Sequence, residues 1–151
     1  MDTLITDFSA PAFQAAFRQY FAEIGISVRD WEGLFREMNQ EGNNAAFLRT
    51  TEEGEVIGFL QFQLIAFTSW FFEETCGFIR EFWVAKPFRG QGHGTGLLGM
   101  AEQHFGAHGM FTAVLTTDTA AGFYEKRGYV RARGCRAKNG DEVFMKRLGS
   151  D

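Results

Sequence analysis

The chain has 151 residues, 45% of them hydrophobic and 23% charged, which is enough for one substantial core without disulfides or metals. A net charge of −4 and a pI near 5.4 argue against bulk nucleic-acid binding. Cys76 and Cys135 stand far apart and outside any C-x-x-C, so neither a disulfide framework nor a zinc ribbon is indicated. The charge is unevenly placed. Glu52, Glu53, Glu55, Glu73, Glu74 and Glu81 lie mid-chain, whereas Lys126, Arg127, Arg131, Arg133, Arg136, Lys138, Lys146 and Arg147 crowd the C-terminal end. These are either two solvated faces, or an acidic side for a cationic substrate and a basic side for a phosphate-rich cofactor.

Along the chain, MDTLITDFSAPAF lacks the basic and apolar regions of a secretory signal. Ser9 or Ala10 followed by Pro11 opens a helix, whose apolar face is Phe13, Phe17, Tyr20, Phe21 and Ile24, and Gly25 ends it. A second amphipathic segment opens at Val28-Arg29-Asp30-Trp31, carries Trp31, Leu34, Phe35 and Met38, and closes at Gly42-Asn43-Asn44. The period then changes. AAFLRTT, the turn EEGE and VIGFLQFQLIAFTSW form an antiparallel hairpin in which Gln61 and Gln63 alternate with apolar neighbours. The run from Phe59 to Phe72 is broken by Gln61, Gln63, Thr68 and Ser69, so it is strand and not a membrane span. A soluble, cytoplasmic setting is the expectation.

CGFIREFWVAK is a strand stopped by Pro87, and a glycine run follows it. LLGMAEQHF is then a buried helix ended by Gly106 and Gly109, and MFTAVLTT is a buried strand. Thr119 to Arg127 is a short helix ending in Gly128. YVRARGCRA and EVFMKRL are two strands joined through Asn139-Gly140. The pattern ααββ-β-α-β-α-ββ, with no linker or repeat, predicts a single domain of α/β (α+β) class over residues 1–151. Its sheet is mixed, mostly antiparallel and six- to seven-stranded, with helices flanking it.

The glycine run, FRGQGHGTGLLG, holds two overlapping patterns. Backbone N–H groups cradle phosphates where no side chain obstructs them, and a following helix adds its unsatisfied amides and positive dipole end. No Gly-Lys-Ser/Thr closes the run, so it is not a P-loop. Gly94-Thr95-Gly96-Leu97-Leu98-Gly99 fits the dinucleotide fingerprint, and Asp118 stands where a ribose-binding acid belongs. Against that, Ala85 to Arg89 separate the strand from the run, Gly99 falls within the helix, and only one βαβ unit is present. The other pattern, Arg-x-x-Gly-x-Gly, begins at Arg89.

That second pattern has independent support. Phe82-Trp83-Val84-Ala85-Lys86-Pro87-Phe88-Arg89-Gly90-Gln91-Gly92-His93-Gly94, followed by Ala120-Ala121-Gly122-Phe123-Tyr124-Glu125-Lys126-Arg127-Gly128-Tyr129, resembles the two motifs of the GNAT superfamily of acetyl-CoA-dependent N-acetyltransferases. The resemblance covers the chain in element order and residues 79 to 130 in motif. Many members carry Asn near the start of the second motif, where this chain has Thr117.

The resemblance implies acetyl-CoA as co-substrate. Its pyrophosphate would lie on the amides of Gly90, Gln91, Gly92, His93, Gly94 and Thr95, with Arg89 contacting the phosphates. It also implies strands splayed at the acyl-CoA site, where Phe82, Trp83 and Val84 face the pantetheine arm and a backbone N–H stabilises the oxyanion. Thr117, Ala120 and Phe123 complete the cofactor contacts. Tyr124 is the expected acid for the departing thiolate, against a plain packed aromatic. Glu81 is the expected base, against a structural salt bridge. Glu73 and Glu74 could attract a cationic amine at the rim. His104 and His108, four apart, lack a third ligand, so no metal is expected. Trp70-Phe71-Phe72 could be core, acceptor pocket or homodimer contact. The acceptor is expected to be the primary amine of a small molecule or peptide, with neither nucleic acid nor membrane as partner. A non-catalytic acyl-CoA sensor and a dinucleotide-dependent oxidoreductase are the alternatives.

Overall fold

The computed structural model describes residues 1–68 and 73–149. Trp70-Phe71-Phe72 and the side chain of Glu73 lie outside the described residues. The architecture is α/β, a mostly antiparallel seven-stranded sheet flanked by four helices. The elements are β1 (Asp2–Ile5), α1 (Pro11–Ile24), α2 (Trp31–Glu41), β2 (Asn44–Thr50), β3 (Val56–Thr68), β4 (Glu73–Val84), a 3-10 turn (Lys86–Phe88), α3 (His93–Ala107), β5 (Thr112–Thr117), α4 (Ala121–Glu125), β6 (Val130–Arg131) and β7 (Glu142–Arg147). Strand order is β1-β2-β3-β4-β5-β7-β6. β1–β2, β5–β7 and β6–β7 run antiparallel, whereas β4 and β5 run parallel through Gly77↔Ala113 and Phe78↔Val114.

The chain gathers into two compact units. One takes residues 1–62 and 81–101, and the other takes 63–80 and 102–149 with the chain end. The first unit is built on aromatic residues. Phe8, Phe13, Phe17, Phe35 and Phe59 are each at most 3% exposed, and Phe13 and Phe17 of α1 meet the Phe59 ring of β3 at 5.5 and 5.6 Å. Each buried aromatic contributes about 1.5–3 kcal/mol through area removed from water. Helix α1 starts at Pro11, whose missing N–H costs nothing there, and stops at Gly25 with φ 76°. Ala10 caps it without a side-chain bond; Ser9 instead donates to Asp7. In α2, Asp30 accepts from the Gly33 amide, so the helix begins at Trp31, three residues later than the amphipathic segment suggests.

The second unit packs Phe105, Ala113, Leu115, Tyr124, Tyr129, Val143 and Phe144 into its interior. The Phe105 ring lies directly over Gly77, in space that a Cβ would occupy. Tyr129 donates to Glu102 at 2.8 Å, and Lys146 reaches the same carboxylate at 3.1 Å, so the buried hydroxyl and the half-buried charges satisfy one another.

Several elements differ from the sequence expectation. β1 has no apolar alternation; it is a strand because Met1 to Ile5 pairs along β2, with the Arg49–Asp2 ion pair across the ladder at 2.7 Å. Gln61 is 2% exposed and not solvent-facing, because residues 56–62 of β3 are buried on both faces. The predicted strand YVRARGCRA shrinks to Val130–Arg131, paired with Met145 and Phe144. Residues 132–141 are therefore a long connection and not a two-residue hairpin. Within it, Asn139 bonds to Asp141, and Gly140 has φ 85°. Helix α3 begins at His93, four residues before Leu97, and continues through Gly106 to Ala107 before Gly109 takes φ 77°.

Candidate acyl-CoA site

The end of β4 is set by close approach to β3. Ala85 donates to Ile57 O at 2.8 Å, and Gly58 sits against the β4 backbone. A Cβ on Gly58 would fall 2.5 Å from Trp83 O and 3.0 Å from Val84 Cα. Beyond Val84 the chain folds into the 3-10 turn, with Phe88 N donating to Ala85 O at 2.9 Å and Arg89 N to Lys86 O at 3.3 Å. Gly90 (φ 76°) and Gly92 (φ 87°) then take left-handed backbone that only glycine adopts without strain. The first helical bond of α3 runs from Gly96 N to Gly92 O at 3.0 Å. By helix geometry, the amides of His93 and Gly94 therefore point out of the N-terminus of a 15-residue helix, at its positive dipole end.

This backbone decides between the two glycine patterns. Gly94, Gly96 and Gly99 all lie inside α3, so the G-x-G-x-x-G spacing does not form the strand-to-helix turn that a dinucleotide fingerprint requires. Gly96 has a different use. A Cβ there would lie 2.7 Å from Arg49 Nη1, so the glycine lets the guanidinium cross the first turn of α3. Arg49 also donates to His93 Nδ1 at 3.2 Å, which makes that ring nitrogen the acceptor. The His93 ring is thus engaged by Arg49 and, edge-on at 6.2 Å, by Phe88.

Glu81 and Trp83, two apart on β4, share the face turned to α1. Tyr20 donates to Glu81 Oε2 at 2.5 Å, and the Tyr20 and Trp83 rings are 6.2 Å apart. Trp83 is 8% exposed, and the Arg89 contact holds the nearby Glu23 carboxyl below its usual range. The Arg89 guanidinium donates from Nε to Val84 O at 2.8 Å and from Nη2 to Glu23 at 2.6 Å. Tyr20 and Glu23, three apart on α1, escape a sequence search, because helical spacing alone does not say which strand a helix face covers.

In the second unit, Thr117 ends β5, and its hydroxyl accepts from Ala120 N at 3.0 Å, which shapes the approach to α4. Ala120 is the N-cap of α4. Phe123 carries the Arg127 guanidinium 3.7 Å over its ring. Tyr124 is 7% exposed and packs edge-to-face on Phe123 and Tyr129 at 5.1 and 5.6 Å. Burial pushes its phenol up to about 12, so it stays protonated throughout the neutral range.

The His104 and His108 rings lie 4.1 Å apart, tilted by 30°, and His108 Nδ1 lies 2.8 Å from His104 O. Burial, then the neighbouring His108, holds His104 below its ordinary value. Among the described residues, no group of three His, Cys, Asp or Glu side chains could hold a metal. Among the same residues, no helix is long and apolar enough to cross a membrane.

Comparisons with known proteins bear on the fold and the family. No curated protein matches the chain in sequence. Among solved structures, a protein from Klebsiella pneumoniae assigned as an acyl-CoA N-acyltransferase superposes with TM-score 0.71 at 18% identity, covering 99% of this chain and 97% of that one. N-acetylglutamate synthase from Neisseria gonorrhoeae, complexed with coenzyme A and N-acetyl-glutamate, gives 0.70 at 16% identity over 99% of this chain and 36% of that one. An aminoglycoside acetyltransferase from an uncultured soil metagenomic sample gives 0.67 at 19% identity, covering 84% and 83%. These show a shared fold. The model of the acetyltransferase (GNAT) family matches residues 5–129, a span that holds the glycine loop, α3 and Tyr124, and the chain is therefore an acyltransferase of that family.

Proposed function

We propose that the protein moves an acetyl group from acetyl-CoA to the primary amine of a small molecule or peptide by direct attack on the thioester. The observation that carries this reading is the loop at Gly90–Gly92, whose left-handed backbone runs straight into the N-terminus of α3. That arrangement suits a pyrophosphate, because backbone amides supply the donors and the helix end supplies positive potential. The neighbouring folds of an N-acetylglutamate synthase complexed with coenzyme A and N-acetyl-glutamate and of an aminoglycoside acetyltransferase support an amine acceptor without choosing among amines.

In this mechanism the β4 backbone at Phe82–Val84 faces the pantetheine arm, and one of its N–H groups receives the developing oxyanion. Glu81 is the base. An alkyl amine with a pKa of about 10.4 is protonated near neutrality and must lose a proton before it attacks. The Tyr20 hydroxyl orients the carboxylate on the face that α1 covers. Thr117, Ala120 and Phe123 shape the second motif's contacts with the cofactor. Tyr124 donates to the departing thiolate. Burial, and then Glu74, push the Cys76 thiol above its ordinary range.

The test is thiol release from acetyl-CoA across a panel of small-molecule amines and peptides, run beside acetyl-CoA binding. Turnover with one class of amine is the expected result. Binding without turnover on any amine would mean a non-catalytic acyl-CoA-binding module and would overturn the mechanism.

A further inference from the structure

The Arg89 side chain turns back onto the protein instead of outward from the loop. Its Nε bond to Val84 O closes a short ring of chain, from the last residue of β4 through the 3-10 turn and back. Its Nη2 bond to Glu23 fastens that ring to the last turn of α1. The pair is part-exposed, at 43% for Arg89 and 36% for Glu23, and its geometry is tight at 2.6 Å. Gly90, the next residue, begins the left-handed turn. Swinging the guanidinium out to a phosphate would break both bonds and strip the carbonyl and the carboxylate of their donor.

We infer that Glu23 is a positioning residue for the phosphate loop, acting through Arg89, which braces the Gly90–Gly92 turn from behind and is not a charged ligand of the phosphates. The inference rests on the reading that this loop binds the pyrophosphate of CoA. It makes α1 a support shared by two groups: Tyr20 holds Glu81, and one helical turn on, Glu23 holds the loop. A planar guanidinium can donate along two edges at once, to Val84 O and to Glu23, whereas an ammonium cannot match that fork.

The two roles for Arg89 predict opposite signs for one substitution. If Arg89 contacts the phosphates, Glu23→Gln removes a competing negative charge and CoA binds more tightly. If Arg89 is a brace, Glu23→Gln loosens the turn and CoA binds more weakly, by about threefold for a part-exposed ion pair. The experiment is calorimetric titration of CoA into the wild type, Glu23→Gln, Arg89→Lys and Arg89→Ala, with thermal unfolding to verify each fold. Steady-state KM and kcat for acetyl-CoA are measured beside it. We expect Glu23→Gln to raise Kd and KM about threefold with kcat at saturation within about twofold, and Arg89→Lys to lose as much affinity as Arg89→Ala. Glu23→Gln binding CoA as tightly as the wild type or more so, or Arg89→Lys keeping wild-type affinity while Arg89→Ala loses it, would overturn the inference. A wild type that binds no CoA would overturn the loop's assignment, and this inference with it.

Discussion

Replacing Tyr124 with Phe removes one hydroxyl from a site that is 7% exposed and leaves the ring packing on Phe123 and Tyr129 intact. The consequence for catalysis follows from the acidity of that hydroxyl. Burial raises it to about 12, while a free thiol titrates near 8.5 (about 3.5 units lower), so complete proton transfer from Tyr124 to a thiolate is uphill by about 5 kcal/mol. In the proposed mechanism Tyr124 would therefore act as a neutral hydrogen-bond donor to the departing sulfur and would not become a free phenolate. A donor of this kind, placed where charge develops, is worth about a hundredfold to a thousandfold in kcat, or about 2.7–4 kcal/mol. The expected result for Tyr124→Phe is a kcat lowered by about two orders of magnitude, with KM for acetyl-CoA changed by less than about threefold. The assay is thiol release at saturating acetyl-CoA and amine, with thermal unfolding to show that the fold is kept. No basic limb assigned to Tyr124 should appear below about pH 11, because the group does not titrate there. A variant that turned over within about twofold of the wild type would refute the assignment of Tyr124 to the leaving thiolate.

Three further outcomes are expected. The stability that a protonated, buried Tyr124 contributes is fully present below pH 10 and is lost as pH rises from 10 through about 12, by about 1.4 kcal/mol at pH 11 and about 3 kcal/mol when complete. Tyr129, raised by burial and then by Glu102, acts in the same direction. Urea unfolding at pH 9, 10 and 11 should show the loss, and Tyr124→Phe should show less of it; equal losses in both proteins would sink the attribution. Gly58→Ala sets a methyl group against the Trp83 and Val84 backbone, which cannot swing aside, and should cost about 1–3 kcal/mol along with CoA affinity. An unchanged melting temperature would contradict it. For Gly92→Ala, nothing lies within 4 Å of the added Cβ, so the cost is that of φ 87° alone, about 1–2 kcal/mol, and Gly92→Asn should recover part of it in thermal unfolding.

Elements whose stability is local are legible in the residues. Pro11 and Gly25 bound α1 by chemistry internal to the segment, and Gly90 and Gly92 mark a turn because their missing Cβ atoms act within two residues of themselves. Elements that exist by pairing are not legible. Asp2–Ile5 is a strand only because β2 lies beside it, and Arg133 to Ala137 are not strand because the ladder to β7 ends with the bond from Ala132 N to Val143 O among the described bonds. The N-terminus of α3 is misplaced for a related reason. Gly94 and Gly96 are poor helix formers, and the helix includes them because the turn before it and Arg49 beneath it fix the backbone.

The candidate site divides in the same way. The sequence by itself determined the β4–loop–α3 segment, the Phe123-Tyr124 motif and the family they belong to, since these are patterns within short stretches of chain. Only the tertiary structure decided that α1 stands against β4, so that Tyr20 meets Glu81 and Glu23 meets Arg89 across 61 and 66 residues. It also buried Tyr124 deeply enough to raise its phenol to about 12. Helical and strand periodicity state which residues share a face. Which face meets which depends on how the aromatic core closes, and that is a property of the whole fold.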